Sequence, residues 1–482
     1  MQKTFLSNLI LIVVLNLLIK PFYILGIDAE VQNRVGAEVY GNYFALLNFS
    51  FLLNVLLDFG ITNFNSKTIA EHPKLVNSYF GKLLSIRFVL FFLYLIFTLS
   101  AGFTIGYSKH EIYLLSLLVL NQFLVATIQF SRSNFAGLHL FKIDSIISVL
   151  DRLLMIVLCG VMLWTPVMGT EFKIEWFVYA QTFSYLMTML FAVVMLKLKI
   201  GKLKIQFQKV FSIALLKQSF PYALLILLMT FYNRVDSVML ERMLVDGDKQ
   251  AGVYAQGFRY LDAVNMFALL FAGLLLPIFA RLIKNKISIQ PILELGVKIL
   301  IPISIIIGMT AFFFKYDLMS YRYDANLEEA SKSFGYLILS FIPVSITYIF
   351  GTLLTANGSL KQLNIMAVGG VILNIGLNII LIPSYKAEGA AVATLITQVI
   401  TALIQLILVI YLFKLKINWR LMMKFSILII VVLVINMSLN NNFPMLSSFN
   451  CVLLALFTST LSAFLIGLLP FKNLITIFKN DN

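Results

Sequence analysis

Apolar stretches of about twenty residues recur from one end of this chain to the other, parted only by short polar breaks. Fourteen are counted, near residues 5–26, 40–61, 80–106, 111–138, 142–164, 174–196, 218–240, 250–280, 292–314, 333–356, 363–383, 388–413, 421–439 and 449–470. A helix needs roughly 20 mainly apolar residues to cross the hydrocarbon core of a bilayer. Composition agrees: of 482 residues, 60% are hydrophobic and 12% charged, against about 25% charged in a soluble domain. In lipid only helices and closed barrels satisfy their own backbone groups. The runs here are continuous rather than ten-residue alternations, which excludes the barrel. The expectation is an all-α polytopic membrane protein. The first run, from Phe5 to Leu25, has no small-residue cleavage site and reads as a retained helix, not a signal peptide.

Charge distribution sets the expected orientation. With the N-terminus in the cytoplasm, the cytoplasmic segments hold 21 Lys and Arg against two acids, Glu71 and Asp481. "KLKIGKLKIQFQK" (197–209), "RLIKNK" (281–286) and "KLKINWRLMMK" (414–424) supply most of them. The opposite segments hold nine Lys and Arg with fourteen Asp and Glu, as in "GIDAEVQNR" (26–34) and "YRYDANLEEASK" (321–332). Basic residues concentrate on the cytoplasmic side, so both termini are expected there. The net charge of +15 follows from this asymmetry. It implies attraction to anionic lipid and no nucleic-acid partner, since no basic domain interleaved with aromatics stands outside the apolar runs.

The stretch "NIGLNIILIPSYKAEGAAVATLITQ" (374–398) has a six-residue break, Pro383 to Glu388, between two apolar runs. It predicts a tight hairpin: Pro383 ends one helix, and Gly389, Ala390 and Ala391 start the next with side chains small enough for close packing. Asn374 and Asn378 lie one turn apart on one face, where amides bridge helices or meet sugar hydroxyls. A shifted copy is also visible. "EVYGNYFALLNF" from Glu38 aligns with "QAGVYAQGFRY" from Gln250, matching Gly41 to Gly252 and Tyr43 to Tyr254 at an offset of 211. With a small length change in the preceding hairpin, Lys20 then falls opposite Arg234. Six spans, a basic linker and six more spans is the pattern this suggests.

Three stretches carry a family resemblance: "VYGNYFALLNFSFLLNVLLDFGITNFNSKTIAE" (39–71), "DSVMLERMLVDGDKQAGVYAQGFRYLDAV" (236–264) and "LNIGLNIILIPSYKAEGAAVATLITQ" (373–398). In these the chain resembles the multidrug/oligosaccharidyl-lipid/polysaccharide exporter superfamily, and within it the Wzx-type flippases of the polysaccharide-biosynthesis branch. The resemblance implies a MATE-like fold of two six-helix lobes around a central cavity that opens alternately to each side. The expected division is 1–196 and 218–413 for the lobes, 197–217 for the basic linker, and 414–482 for two additional helices and a cytoplasmic tail.

Seven basic residues remain inside the spans: Lys20, Arg87, Arg132, Arg152, Arg234, Arg259 and Lys298. One such residue facing lipid at a helix centre costs roughly 2.5–3.5 kcal/mol on insertion scales, so each is expected to face a cavity or a partner. Lys298 follows Glu294 by four residues and reads as an i,i+4 pair. Arg87 and Arg132 lie near the cytoplasmic surface, where snorkelling also accommodates them. Arg152 is closer to mid-span. Arg234 belongs to a polar stripe with Thr230, Ser237 and Glu241, Arg259 to one with Gln256, Asp262 and Asn265, and Lys20 shares a face with Asn16 before Pro21. An internal ion pair of Arg259 with Asp262 is the competing reading. Lys20, Arg234, Arg259, Arg152, Arg132 and Arg87 are therefore the candidate substrate contacts.

A cavity lined by cations suits an anionic head group such as a pyrophosphate, which arginine grips with paired hydrogen bonds. The first span carries no acidic residue, whereas multidrug exporters of the superfamily commonly use a carboxylate there, so a cation antiporter is disfavoured. No catalytic or metal motif occurs and no cofactor is expected. The expected function is a flippase moving polyprenyl-pyrophosphate-linked oligosaccharide across a bacterial inner membrane for O-antigen or capsule assembly. Its partners would be that lipid, the bilayer, and polysaccharide polymerase and assembly proteins. A peptidoglycan lipid-precursor flippase and a multidrug cation antiporter are the alternatives. Reporter fusions after residues 205 and 418 are expected to report cytoplasm, and fusions near 246 and 325 periplasm; one reversed site would break the span count.

Overall fold

The computed structural model describes residues 15–62, 65, 69, 76–138, 140–165, 171–200, 208–415, 418–442 and 448–469. The start of the first span, Glu71, the linker segment 201–207 and the tail with Asp481 lie outside the described residues. Among the described residues every regular element is helical. Two compact units are present, Met1–Gly252 and Val253–Asn482.

In the first unit α1 (15–35) and α2 (37–52) meet at Gly36, whose φ of 84° and ψ of 164° break an otherwise continuous Ala29–Leu52 helix. Then come α3 (Val76–Ile105), α4 (Lys109–Gly137), α5 (Phe141–Trp164), α6 (Ile174–Ile200) and α7 (Lys209–Met243). The helix α8 (Gly247–Lys284) begins in this unit and ends in the second. There it is followed by α9 (Gln290–Phe313), α10 (Leu327–Ala356), α11 and α12 within Leu360–Phe413, α13 (Trp419–Asn442) and α14 (Ser448–Leu465).

The Leu360–Phe413 segment contains the predicted hairpin. Lys386 leaves helical geometry with φ 51° and ψ −132°. The Gln405 amide donates to Met366 Sδ at 3.4 Å. Along a straight helix those residues would stand ~58 Å apart, so the chain reverses at Lys386 and α11 (360–385) packs antiparallel to α12 (387–413). Asn374 and Asn378 are fully buried, with the Asn378 amide donating to Asn374 Oδ1 at 3.2 Å. The bond between them runs along one face of α11.

Ten helices of the described residues are long and apolar enough to cross a membrane. The Leu360–Phe413 hairpin is one of these and counts twice. With α1, α2 and the shorter α14 added, the order and number match the fourteen stretches read in the sequence. Large apolar side chains point outward, among them Phe92, Ile96 and Phe97 on α3 and Ile372 and Ile380 on α11. Such an outer surface is stable only against lipid. This is a multi-pass membrane protein.

The structure corrects one expectation: "GIDAEVQNR" is not a loop. The first helix continues through a π-helical turn, Tyr23–Asp28, just after Pro21, and ends only where Gly36 permits the reversal. Asp28 is therefore inside the first helix, 2% exposed, and accepts a hydrogen bond from the Tyr40 hydroxyl at 2.7 Å. The first span does carry a carboxylate. Because Gly36 holds a backbone region that other residues enter only under strain of order 1–3 kcal/mol, Gly36→Val is expected to lower the unfolding temperature of the detergent-purified protein, while Val35→Ala next to it changes it little.

Candidate functional site

Of the membrane cations, three converge in the first unit. Lys20 on α1 interacts electrostatically with Arg132 on α4 and Arg152 on α5, and with the carboxylates Asp144 and Asp151. Arg132 Nε donates to Asp144 Oδ1 at 2.7 Å, across the short turn between α4 and α5. Arg152 is held differently. Its guanidinium carbon lies 4.6 Å from the centre of the Tyr23 ring and 5.6 Å from that of Tyr185, and its Nη1 donates to the Tyr185 hydroxyl at 3.0 Å. Asp151 approaches it at 3.6 Å. The α1 and α5 helices are further joined by the Asn16 amide donating to Ser148 at 3.0 Å, with both residues buried.

The result is a group of three cations with Asp144 and Asp151 within membrane helices, with the buried Asp28 also in electrostatic reach of Tyr23 and Tyr185. Tyrosine faces offer the guanidinium a π surface and leave donors of Arg152 uncommitted to a carboxylate fork. An anion entering here can exchange with the carboxylates, which are themselves held as ion-pair partners. The sequence pointed to Lys20, Arg132 and Arg152 but not to the flanking Tyr23 and Tyr185, because two aromatics in apolar helices carry no periodic signal.

The other three candidates stand apart. Arg87 on α3 is 2% exposed, forms an ion pair with Asp58, donates to Thr62 at 2.8 Å and to the Ala126 carbonyl at 2.6 Å, and stacks on Phe130. That enclosure makes it a brace between α3, α4 and the end of the second span rather than a surface for a ligand. Arg234 on α7 donates to Asn48 Oδ1 on α2 at 3.3 Å, with its guanidinium 5.2 Å from the Phe51 ring centre. Arg259, in the second unit, lies 3.8 Å from Asp262 with its side chain 9% exposed, which is the internal pair of the competing reading. Lys298 pairs with Glu294 at 3.2 Å as the spacing predicts. No group of His, Cys, Asp and Glu among the described residues is arranged to hold a metal ion.

Residues 5–283 match the sequence profile of the family described as polysaccharide biosynthesis protein, more than half of the chain. The chain belongs to that family. No curated protein matches it. Solved structures share the fold. A lipid II flippase MurJ in an inward closed conformation is 18% identical, with a TM-score of 0.70, covering 97% of this chain and 100% of its own. An inward-facing multidrug resistance MATE family transporter of the MOP superfamily is 15% identical with a TM-score of 0.62, covering 80% and 93%. The eukaryotic MATE transporter AtDTX14 gives 14%, 0.59, 86% and 97%. The chain thus shares its fold with multi-pass transporters and a flippase.

Removing one partner of an enclosed ion pair leaves an uncompensated charge and costs about 3–5 kcal/mol. Asp58 is the carboxylate that compensates the enclosed Arg87. Asp58→Ala is therefore expected to destabilise the folded protein more than Asp58→Ala combined with Arg87→Ala, measured by thermal unfolding in detergent.

Proposed function

We propose that this protein is a flippase that carries a polyprenyl-pyrophosphate-linked oligosaccharide from the cytoplasmic to the periplasmic leaflet of a bacterial inner membrane. Two six-helix lobes, 1–196 and 218–413, alternate in access, with the linker 197–217 and both termini in the cytoplasm and the helices of 414–482 added outside the repeat. The sugar and pyrophosphate cross between the lobes while the lipid tail stays in the bilayer. The observation that carries this reading is the α1–α5 contact, where Asn16 bonds Ser148 and Tyr23 stacks on Arg152 with Lys20 between them on the same face of α1, beside the Arg132–Asp144 pair at the α4–α5 turn. Charge-assisted hydrogen bonds from Arg152 and Lys20 would hold the pyrophosphate oxygens, and Tyr23 and Tyr185 would keep the Arg152 guanidinium oriented. Arg234, beside Asn48, would meet the same head group as it moves, and O-antigen or capsule assembly would consume the product with its polymerase and assembly proteins. The protein performs no bond-making chemistry in this scheme and needs no cofactor.

The peptidoglycan-precursor reading draws on the lipid II flippase of like fold. The cation-antiporter reading gains one observation, the buried Asp28 in the first helix. Rescue of cells depleted of their own lipid II flippase would turn the assignment to the first. Export of cationic dyes that depends on Asp28 would turn it to the second.

The test is surface polysaccharide in cells carrying variants at matched protein level. Hydrogen bonds to charged groups contribute about 1.5–3 kcal/mol, so Arg152→Ala and Lys20→Ala are each expected to lower output roughly 10- to 100-fold. Arg152→Lys keeps the charge but loses the planar stacking fork and is expected to fall between. Wild-type output from the alanine variants of Lys20, Arg132 and Arg152 alike would sink the cationic-site reading.

A further inference from the structure

Two polar stripes face each other where α1 lies against α5. Asn16, Lys20 and Tyr23 follow at spacings of four and three residues along one face of α1, and Ser148 and Arg152 are one turn apart on α5. The stripes meet at both ends. At one, the buried Asn16 amide donates to Ser148 Oγ at 3.0 Å. At the other, the Tyr23 ring centre lies 4.6 Å from the Arg152 guanidinium carbon. The Ser148 hydroxyl in turn donates to the Ser145 carbonyl at 2.7 Å. Its hydrogen is thus committed along α5, and a lone pair is left to accept from Asn16.

Charge alone does not decide where α1 sits on α5. Lys20 is repelled by Arg132 and Arg152 and attracted by Asp144 and Asp151. Asp144 is already held by Arg132 at 2.7 Å, and Asp151 lies 3.6 Å from Arg152. These attractions and repulsions oppose one another, and a Coulomb interaction prefers no angle. A ring face likewise accepts a guanidinium over a range of offsets. A hydrogen bond weakens steeply away from its axis. Between buried groups its loss also leaves a donor with no water to replace the partner. Of these interactions only the Asn16–Ser148 bond is directional, so it is the one able to fix register.

We propose that Asn16 and Ser148 are positioning residues, which hold the register of α1 on α5 that brings the Lys20 ammonium and the Arg152 guanidinium to one phosphate-bearing head group. The proposal rests on the transport reading above for its ligand, but the distance measurement below does not require one. Neither residue touches the head group. Each lies one helical turn from the cation it serves, Asn16 before Lys20 and Ser148 before Arg152. A slip of one residue along α1 moves Lys20 by ~1.5 Å relative to Arg152. That is enough to take one of the two out of hydrogen-bond reach of a pyrophosphate held by the other.

The experiment places spin labels on cysteines at Leu18 and Val157, outward-facing residues of α1 and α5, and reads their separation by electron–electron double resonance in the full-length protein in nanodiscs. Cys159 and Cys451 are both buried, which keeps the native thiols from the label. Asn16→Leu and Ser148→Ala are each expected to broaden and displace the distance distribution. Ser148→Thr, which keeps the acceptor, should move it less, and Lys20→Ala should leave it in place. A distribution unmoved by Asn16→Leu and Ser148→Ala would overturn the proposal, and so would one that Lys20→Ala displaces as far as they do. Binding of a polyprenyl pyrophosphate to the same nanodiscs, read by native mass spectrometry, is the second measurement. Asn16→Leu and Ser148→Ala should each weaken it about 3- to 10-fold, the range of an interhelical hydrogen bond in a membrane. In an Arg152→Ala background Ser148→Ala should weaken it no further, because the two act through one group. Unchanged affinity, or equal weakening in both backgrounds, would overturn the positioning role. Displaced distances, with no pyrophosphate bound by the unsubstituted protein, would uphold the register assignment and instead remove the transport reading.

Discussion

A positive charge held at the centre of a lipid-facing helix costs roughly 2.5–3.5 kcal/mol on insertion scales, and helix packing in the first unit is organised by the ways this cost is relieved. Arg87 is relieved by a carboxylate, Asp58, together with backbone and hydroxyl acceptors. Arg132 takes Asp144 on the next helix. Arg152 takes two tyrosine rings and the Asp151 carboxylate at 3.6 Å, and Arg234 takes an amide and a phenylalanine face. Most of these partners sit on different helices from the cations they serve, so each such pairing also fixes which helices touch.

The manner of relief separates cations committed to packing from cations that keep donors to spare. A guanidinium closed in by an ion pair and carbonyls, as at Arg87, has little left to offer a ligand, and its value is to the packing. One stacked on aromatic faces retains donors and keeps its charge. The Lys20, Arg132 and Arg152 group is of the second kind in part, because Arg152 rests on the Tyr23 and Tyr185 rings. At the acid-rich end Arg242 is relieved by Glu111, Glu241 and the Tyr107 ring.

Much of the architecture is legible along the chain. The apolar stretches appear as helices, the break at Pro383 to Glu388 is a reversal at Lys386, and the pair Asn374 and Asn378 is buried and mutually bonded. The weak match of Gly41 to Gly252 gains a physical meaning, since both positions need the absence of a side chain for the same close crossing. In "GIDAEVQNR" charge density misleads, because it suggests a loop where the helix continues. Asp28 is tolerated inside the helix by the Tyr40 hydroxyl, a partner twelve residues away on the next helix. Tyr23 and Tyr185 escape notice for the related reason that an aromatic residue in an apolar run looks like any other.

By itself the sequence determined that this chain crosses a membrane many times as helices, where most of those helices begin and end to within a few residues, and which basic residues had to find partners there. Hydropathy and charge asymmetry are sums over neighbouring residues, so they survive without knowledge of the fold. Tertiary structure alone decided that Arg87 is enclosed with Asp58, that Arg152 lies between Tyr23 and Tyr185, and that Arg242 gathers Glu111 and Glu241. Those outcomes depend on side chains up to about 130 residues apart meeting at hydrogen-bond or ring-contact distance. Interactions of that range leave no local mark on composition or periodicity, because their energy exists only once the helices have packed.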